Sequence, residues 1–162
     1  MEICRKGEAV EISDLDPFLA ELLRQIPGST NFDGESEAEA RLFTQPSSEK
    51  EICAEWKSYV EPELRTLFRS ATETVADDLT QLNGNEKSFR NRTLAIPFEH
   101  ADAWLNALNQ ARLVITAKYE FSDEELSDHD RSPIGSRRDL GLFQVNFYGF
   151  IQEFILREMR SD

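Results

Sequence analysis

Alternating apolar and polar residues at the start of the chain predict a β-hairpin. Ile3, Val10 and Ile12 alternate with polar residues on the two sides of a glycine turn, which is the period-two pattern of paired strands. Because a two-stranded hairpin is only marginally stable alone, we expect a third strand, at residues 93–97. Pro97 cannot donate a ladder hydrogen bond, so this strand should end there or lie at a sheet edge.

Most of the remaining chain repeats its apolar residues at helical spacing. An Asp-Pro pair predicts the start of the first helix, and Pro27-Gly28 is expected to stop it. Pro62 lacks a backbone donor, so a break or bend is expected there. The predicted helical segments are residues 17–26, 36–43, 46 to Pro62, 64 to about 83, 100–119 and 141–159.

The pattern therefore predicts a mainly helical α+β fold. It consists of a bundle of about five helices and a small antiparallel sheet, formed by the N-terminal hairpin plus one later strand. The chain has 162 residues, a length that suits a single domain over residues 1–162 and a core that buries ~70% of the unfolded surface. Residues 122–139 are rich in Asp and Glu and are expected to form a loop, either without regular structure or with one short turn of helix.

Charge and the length of apolar runs argue against two classes of protein, nonspecific nucleic-acid binders and membrane-spanning proteins. With 31 acidic and 18 basic residues the formal net charge is −13, and such a body is repelled by nucleic-acid phosphates. The sequence contains no apolar run of ~18 residues, so a membrane span is not expected. The acidic excess is concentrated in residues 1–83, which hold 18 of the acidic residues. A weaker hypothesis is that the protein mimics nucleic acid, which requires carboxylates spaced along one exposed face.

The second half of the chain contains two small basic clusters. As anion contacts they would bind a ligand, and as structural features they would reduce repulsion near acidic helices. Neither cluster is interleaved with aromatic residues, so both are weak signals of nucleic-acid binding. The clusters are Lys87, Arg90 and Arg92, and Arg131, Arg137 and Arg138.

Cysteine and histidine usage predicts neither a metal site nor a cofactor. Cys4 and Cys53 are far apart in a chain without a secretory leader, so we expect reduced thiols in the cytoplasm. His129 lies between two aspartates, but a single histidine in a polar loop is a poor zinc site. His100, near Asp102, is expected to serve as a helix-capping or surface residue. No catalytic or phosphate-binding motif occurs.

Two segments, together with the order of the elements, resemble an uncharacterised bacterial family that is catalogued as a domain of unknown function. The segments are Glu-Ala-Arg-Leu-Phe at residues 39–43 and Trp-Leu-Asn-Ala-Leu-Asn-Gln-Ala-Arg-Leu at 104–113. In actinobacteria, members of that family are encoded beside the Clp protease adaptor ClpS, and some are labelled regulators. The resemblance implies one helical domain with a small sheet, and it carries no catalytic residues. Residues 122–138 depart from the family pattern in length and charge.

A polar triplet on the helix of residues 100–119 is a candidate ligand site. Asn106, Asn109 and Arg112 follow one another at spacings of three, so they lie along one side of the helix. As a pocket, Arg112 would bind a carboxylate or phosphate that the two amides orient. As structure, Arg112 would pair with a carboxylate of another helix, while Asn109 would satisfy backbone groups near the sheet.

The last helix carries an aromatic stripe that is wider than a surface helix needs. Such a stripe indicates either a central position in the bundle or a second contact surface, for a homodimer or a protein partner. Its candidate contact residues are Phe143, Phe147, Phe150 and Phe154.

Together these features predict a non-enzymatic cytoplasmic module for protein–protein interaction or regulation, acting through acidic and aromatic surfaces. The family resemblance adds a link to regulated proteolysis. The alternative is a small-ligand-binding protein or an enzyme with a pocket near residues 104–112. A cavity at Asn109 and Arg112 with a perturbed carboxylate would favour that alternative.

Overall fold

The computed structural model describes residues 1–32, 36–83, 92–127 and 134–160. Several residues singled out above lie outside these ranges, namely Lys87, Arg90, Asp128, His129, Asp130 and Arg131.

The predicted sheet is confirmed. Strand β1 (Glu2–Lys6) and strand β2 (Ala9–Leu15) form the hairpin, and β3 (Arg92–Pro97) pairs antiparallel with β2, in the order β1-β2-β3. Gly7 supplies the positive φ of the turn, +58°, a conformation that costs glycine little. The predicted strand ending at Pro97 lies at an edge, as its missing N–H requires. The buried apolar side chains of β2 and β3 are Val10, Ile12, Leu15, Leu94 and Ile96.

A glutamine side chain covers the free edge of β3. The Gln81 side-chain amide donates to the carbonyl of Ala95 at 3.0 Å, and its Oε1 accepts the Ala95 N–H at 3.1 Å. This pair of hydrogen bonds occupies edge groups that would otherwise invite another strand.

The N-terminal helices follow the predicted start signal but not the predicted stop. Asp16 caps helix α1 (Pro17–Arg24), its Oδ1 accepting the Leu19 N–H at 2.9 Å. The expectation that Pro27-Gly28 ends the helical path is wrong, because the chain continues directly into a further turn, α2 (Ile26–Ser29). Pro27 lies in the first turn of α2, where its missing N–H costs nothing.

The next helices run almost without interruption through Pro62. After α3 (Ser36–Leu42), helix α4 (Lys50–Glu55) passes into a π-helical turn (Trp56–Val60) and then into α5 (Glu61–Leu79). Instead of a break, the proline is preceded by this wider turn, in which Glu61 N–H donates to Trp56 O. The change of winding accommodates the missing donor at Pro62.

The C-terminal half contains two long helices and one short helix. Helix α6 (Ala101–Tyr119) agrees with the prediction, whereas α8 (Arg137–Arg160) begins four residues before the predicted residue 141. Ser136 caps α8 by accepting the Asp139 N–H at 3.1 Å. Part of the predicted loop forms α7 (Asp123–Ser127), where Ser122 and Glu125 exchange capping hydrogen bonds. Both serines have an acidic residue three positions later, which is a helix start signal. The short helix α7 agrees with the one turn of helix that the prediction allowed, whereas the signal at Ser136 was missed.

Helix α6 lies at the centre of the bundle and packs against α2, α3, α5 and α8. The mainly helical α+β fold with a small antiparallel sheet is confirmed. Helix α4 is shorter than the helix predicted from residue 46 to Pro62, and α2 and α7 are short additional helices. Among the described residues, no helix is both long enough and apolar enough to cross a membrane. The largest fully buried side chains of α6 are Trp104 and Leu108, and those of α8 are Tyr148, Ile151 and Ile155.

Substitution of Gly141 tests the close contact between α6 and α8. A Cβ at Gly141 would lie 2.7 Å from two ring carbons of Tyr119, so Gly141→Ala should lower the free energy of unfolding by about 1–2 kcal/mol in urea denaturation. Gly28 has open space around its Cα, so Gly28→Ala, as the matched control, should be neutral or slightly stabilising. Equal stability of the two variants would contradict this packing.

Candidate functional site

Arg112 bridges the two central helices. Its Nη1 donates to Oε1 of Gln152 on α8 at 2.7 Å, and the Gln152 amide donates to the carbonyl of Leu105 at 3.0 Å. The guanidinium lies against Gly149, where a Cβ would come within 3.3 Å of its Cζ. Arg112 is therefore engaged in the packing between α6 and α8.

The electrostatic environment of Arg112 differs from the expected one. The carboxylate partner that the sequence suggested is a neutral amide instead, since no described Asp or Glu pairs with Arg112. Its Nε is buried without a hydrogen-bond partner. Burial lowers the pKa of the guanidinium below its usual value, yet an arginine remains protonated at neutral pH.

The two asparagines of the triplet do not converge with Arg112 on a ligand. The Asn106 side chain donates to the carbonyl of Asp102 at 2.9 Å on its own helix. Asn109 is exposed. Trp104, at the start of the same segment, is completely buried. The structure thus shows packing between helices of the chain at Trp104 and Arg112, where the sequence suggested a pocket.

A buried carboxylate that the sequence analysis missed joins α5 to α6. Oδ2 of Asp78 accepts the Trp104 indole N–H at 2.8 Å, and both Asp78 oxygens lie 3.0 Å from Nδ1 of His100. His100, for which a helix-capping or surface role was expected, makes this contact with Asp78. The partners are 22 and 26 positions apart in the chain, so no local pattern could have identified them.

The Asp78–His100 pair resembles the acid and the base of a catalytic triad, but no nucleophile accompanies it among the described residues. Among the described residues, no serine, threonine or cysteine hydrogen-bonds to His100. Because Asp78 also satisfies the buried indole of Trp104, the arrangement holds helices together, and a buried indole N–H requires such an acceptor.

Three of the four phenylalanines of the aromatic stripe pack against the core. Phe147 is buried, Phe143 contacts Phe18 with ring centroids 5.6 Å apart, and Phe154 is half-buried. Phe150 remains 47% exposed. The stripe is wide mainly because one flank of α8 covers the core, and a partner role for these residues stays a prediction.

A second exposed helical surface lies in a segment that we call the arm, residues 50–70. It comprises α4, the π-helical turn and the first half of α5. None of its residues is buried, whereas Tyr59 is 74% and Leu67 52% exposed. Ile52 and Val60 are also exposed. Exposed apolar residues on an otherwise unburied helix indicate a contact surface.

Arg65 attaches the arm to the preceding helix α3. Its guanidinium pairs with Glu39 of α3 and with Glu61, the latter at 2.7 Å. The same group lies 4.2 Å from the ring centroid of Phe43 and 5.4 Å from that of Phe32. The hydrogen bond that Arg65 donates to Glu39 contributes most to raising the pKa of Arg65. One cation therefore fixes the direction in which the arm leaves the bundle.

The remaining candidate groups have ordinary structural roles. Cys4 and Cys53 are free. No group of three or more potential metal ligands occurs in the part of the chain that the structure describes. In the acidic segment, Arg138 pairs with Glu125 at 2.6 Å, and this hydrogen bond is the main reason that the pKa of Glu125 falls to about 2.

Comparison with known proteins identifies the family. The family model described as "Domain of unknown function (DUF2017)" matches residues 5–159, so the chain belongs to this family. No curated protein and no solved structure matches the chain.

The structural role of Arg112 predicts a clear change in stability. Arg112→Ala removes a charge-assisted hydrogen bond and the packing over Gly149, so the free energy of unfolding should fall by about 1–3 kcal/mol. Asn109→Ala on the same helix should stay within about 0.5 kcal/mol of wild type. Chemical denaturation measures both, and a fully stable Arg112→Ala variant would show that Arg112 is not structural.

Proposed function

We propose that this member of a family of unknown function is a non-enzymatic interaction or regulatory module that docks onto a protein partner through the arm. One observation carries the proposal: twenty-one consecutive residues bury no side chain, yet they expose Ile52, Tyr59, Val60 and Leu67. A solitary helix in water gains little stability from its own hydrogen bonds. Exposed apolar side chains on a helical segment that buries none of its residues therefore indicate a surface that a second protein covers.

The charges around the arm specify the chemistry of that partner. Residues 49–63 contain five glutamates and two lysines. Glu49, Glu51, Glu55 and Glu63 form no ion pair with any described residue. The acidic excess lies in the first part of the arm, because Arg65 and Arg69 balance the charge over residues 50–70. An acidic helix end with exposed apolar residues complements a groove that has an apolar floor and basic residues at one end. We infer that the partner presents such a groove.

The dimensions of the arm agree with a helix-in-groove complex. Twenty-one helical residues extend about 30 Å, which is long enough for three to four turns to contact a groove. The attachment by Arg65 to Glu39 and Phe43 orders the arm before binding, and pre-ordering reduces the entropy lost on association.

The family resemblance suggests the first partner to test. Members of such a family lie beside the gene for ClpS, which supports a role in regulated proteolysis in the cytoplasm. The two free cysteines are compatible with that reducing compartment. The engaged side chains at Trp104 and Arg112 favour an interaction module over an enzyme with its pocket there.

Binding of purified ClpS from the same genome tests the proposal. We expect measurable affinity for the wild-type chain by isothermal titration calorimetry. Replacement of two exposed arm residues, Tyr59→Ser with Leu67→Ser, should weaken binding by at least about tenfold, since buried apolar anchors dominate interface energies. Leu156→Ser on α8, also an exposed apolar site, is the matched control and should bind like wild type.

Two results would count against the proposal. Absence of ClpS binding at high micromolar concentration would contradict the link to regulated proteolysis. Equal binding by the wild type and the Tyr59→Ser/Leu67→Ser variant would contradict the arm as the docking surface. Increased affinity at high salt would contradict the acidic contribution, because screening weakens charge complementarity.

A further inference from the structure

A polar cleft opens between α2, α6 and α8. It has a volume of about 500 Å³, within the usual range for small-molecule sites. Val114, Ile115 and Leu140 form apolar parts of its wall. Asn106, Asn109 and Arg112 are not among its lining residues, so the cleft is separate from the triplet that the sequence singled out.

The charge of the cleft is opposite to that of the protein. Two cationic side chains, Lys118 of α6 and Arg137 of α8, line it, and the described lining contains no carboxylate. Neither Lys118 nor Arg137 forms an ion pair with a described residue. In a chain with a net charge of −13, two cations at one cleft, neither of them ion-paired within the described part of the chain, produce a local attraction for anions.

Buried hydrogen bonds order the polar wall of the cleft in advance. The Gln144 amide donates to Oε1 of Gln25 at 2.8 Å. Tyr148, beneath Gln144, donates its hydroxyl to the carbonyl of Leu22 at 2.7 Å. Burial raises the pKa of Tyr148 to about 12, so this hydroxyl remains a donor at neutral pH. The wall thus keeps its shape without a ligand.

The ring of Tyr119 completes the cleft. It lies directly against Gly141, where any larger residue would collide with the ring. Ser29 and Asn31 line the opposite side with a hydroxyl and an amide. These neutral donors and acceptors suit the polar substituents of an organic molecule, while the two cations suit a charged head group.

We propose that this cleft binds a small organic anion, with a phosphate or carboxylate head held by Lys118 and Arg137 and a polar body placed against Gln25 and Gln144. An arginine contacts such a head through two parallel N–H groups, and a lysine adds a compact positive charge. This site is independent of the arm, so binding there requires no protein partner.

Titration of the ¹⁵N-labelled full-length chain by NMR tests the site. The probes are adenosine monophosphate, glutarate and inorganic phosphate, which separate an organic phosphate, an organic carboxylate and a free anion. We expect at least one organic probe to saturate with a dissociation constant below about 1 mM and to shift the amide signals of Ser29, Tyr119 and Gln144.

Variants distinguish the cleft from general anion attraction. Lys118→Gln and Arg137→Gln should each weaken the organic probe by about tenfold, because each removes one charged contact. Arg160→Gln, at the other end of α8, should bind like wild type. Saturation by neither organic probe, binding of inorganic phosphate alone, or unchanged affinity in Arg137→Gln would each overturn the proposal.

Discussion

The burial of helix α6 is the constraint on which the rest of the structure depends. Four other helices pack around it, so its polar groups must find partners inside the protein. Asp78 of α5 accepts the indole N–H of Trp104, and Gln152 of α8 accepts a hydrogen bond from Nη1 of Arg112, although the Nε of Arg112 stays without a partner. Each contact both removes the cost of an unpaired buried group and fixes the position of a neighbouring helix. Close approach of α8 further requires Gly141 opposite Tyr119.

Local patterns in the sequence sufficed for the elements but not for the contacts between them. The hairpin and α6 follow from period-two and helical spacing, because those patterns record which face is buried. The positions of Pro27 and Pro62 were predictable, but their effect was not, since proline is tolerated in the first turn of a helix. The early start of α8 had a local signal in Ser136 and Asp139. The hydrogen-bond partner of Arg112 in the candidate site could not be predicted, because Gln152 lies forty positions away.

Two surfaces remain after the core is accounted for, and they differ in chemistry. The arm has an acidic first part, exposes apolar side chains and lacks any buried residue, which suits a protein groove. The cleft carries Lys118 and Arg137, which suits a small anion. Neither surface contains the Asn106–Arg112 triplet, because the packing of α6 against α8 engages Arg112. We therefore propose that the contact surface expected from the sequence lies on α4 and α5, because most of the α8 stripe packs on the core.

Hydrogen exchange of the free chain tests most directly whether the arm stands apart from the core. Without tertiary burial, amides of residues 50–70 should open locally and exchange about 100-fold faster than those of α6, whose exchange requires opening of the whole bundle. Mass spectrometry after pepsin digestion resolves the two segments. Equal protection of the arm and α6 would show that the arm belongs to the core, and would contradict the account of it as an unpartnered docking surface.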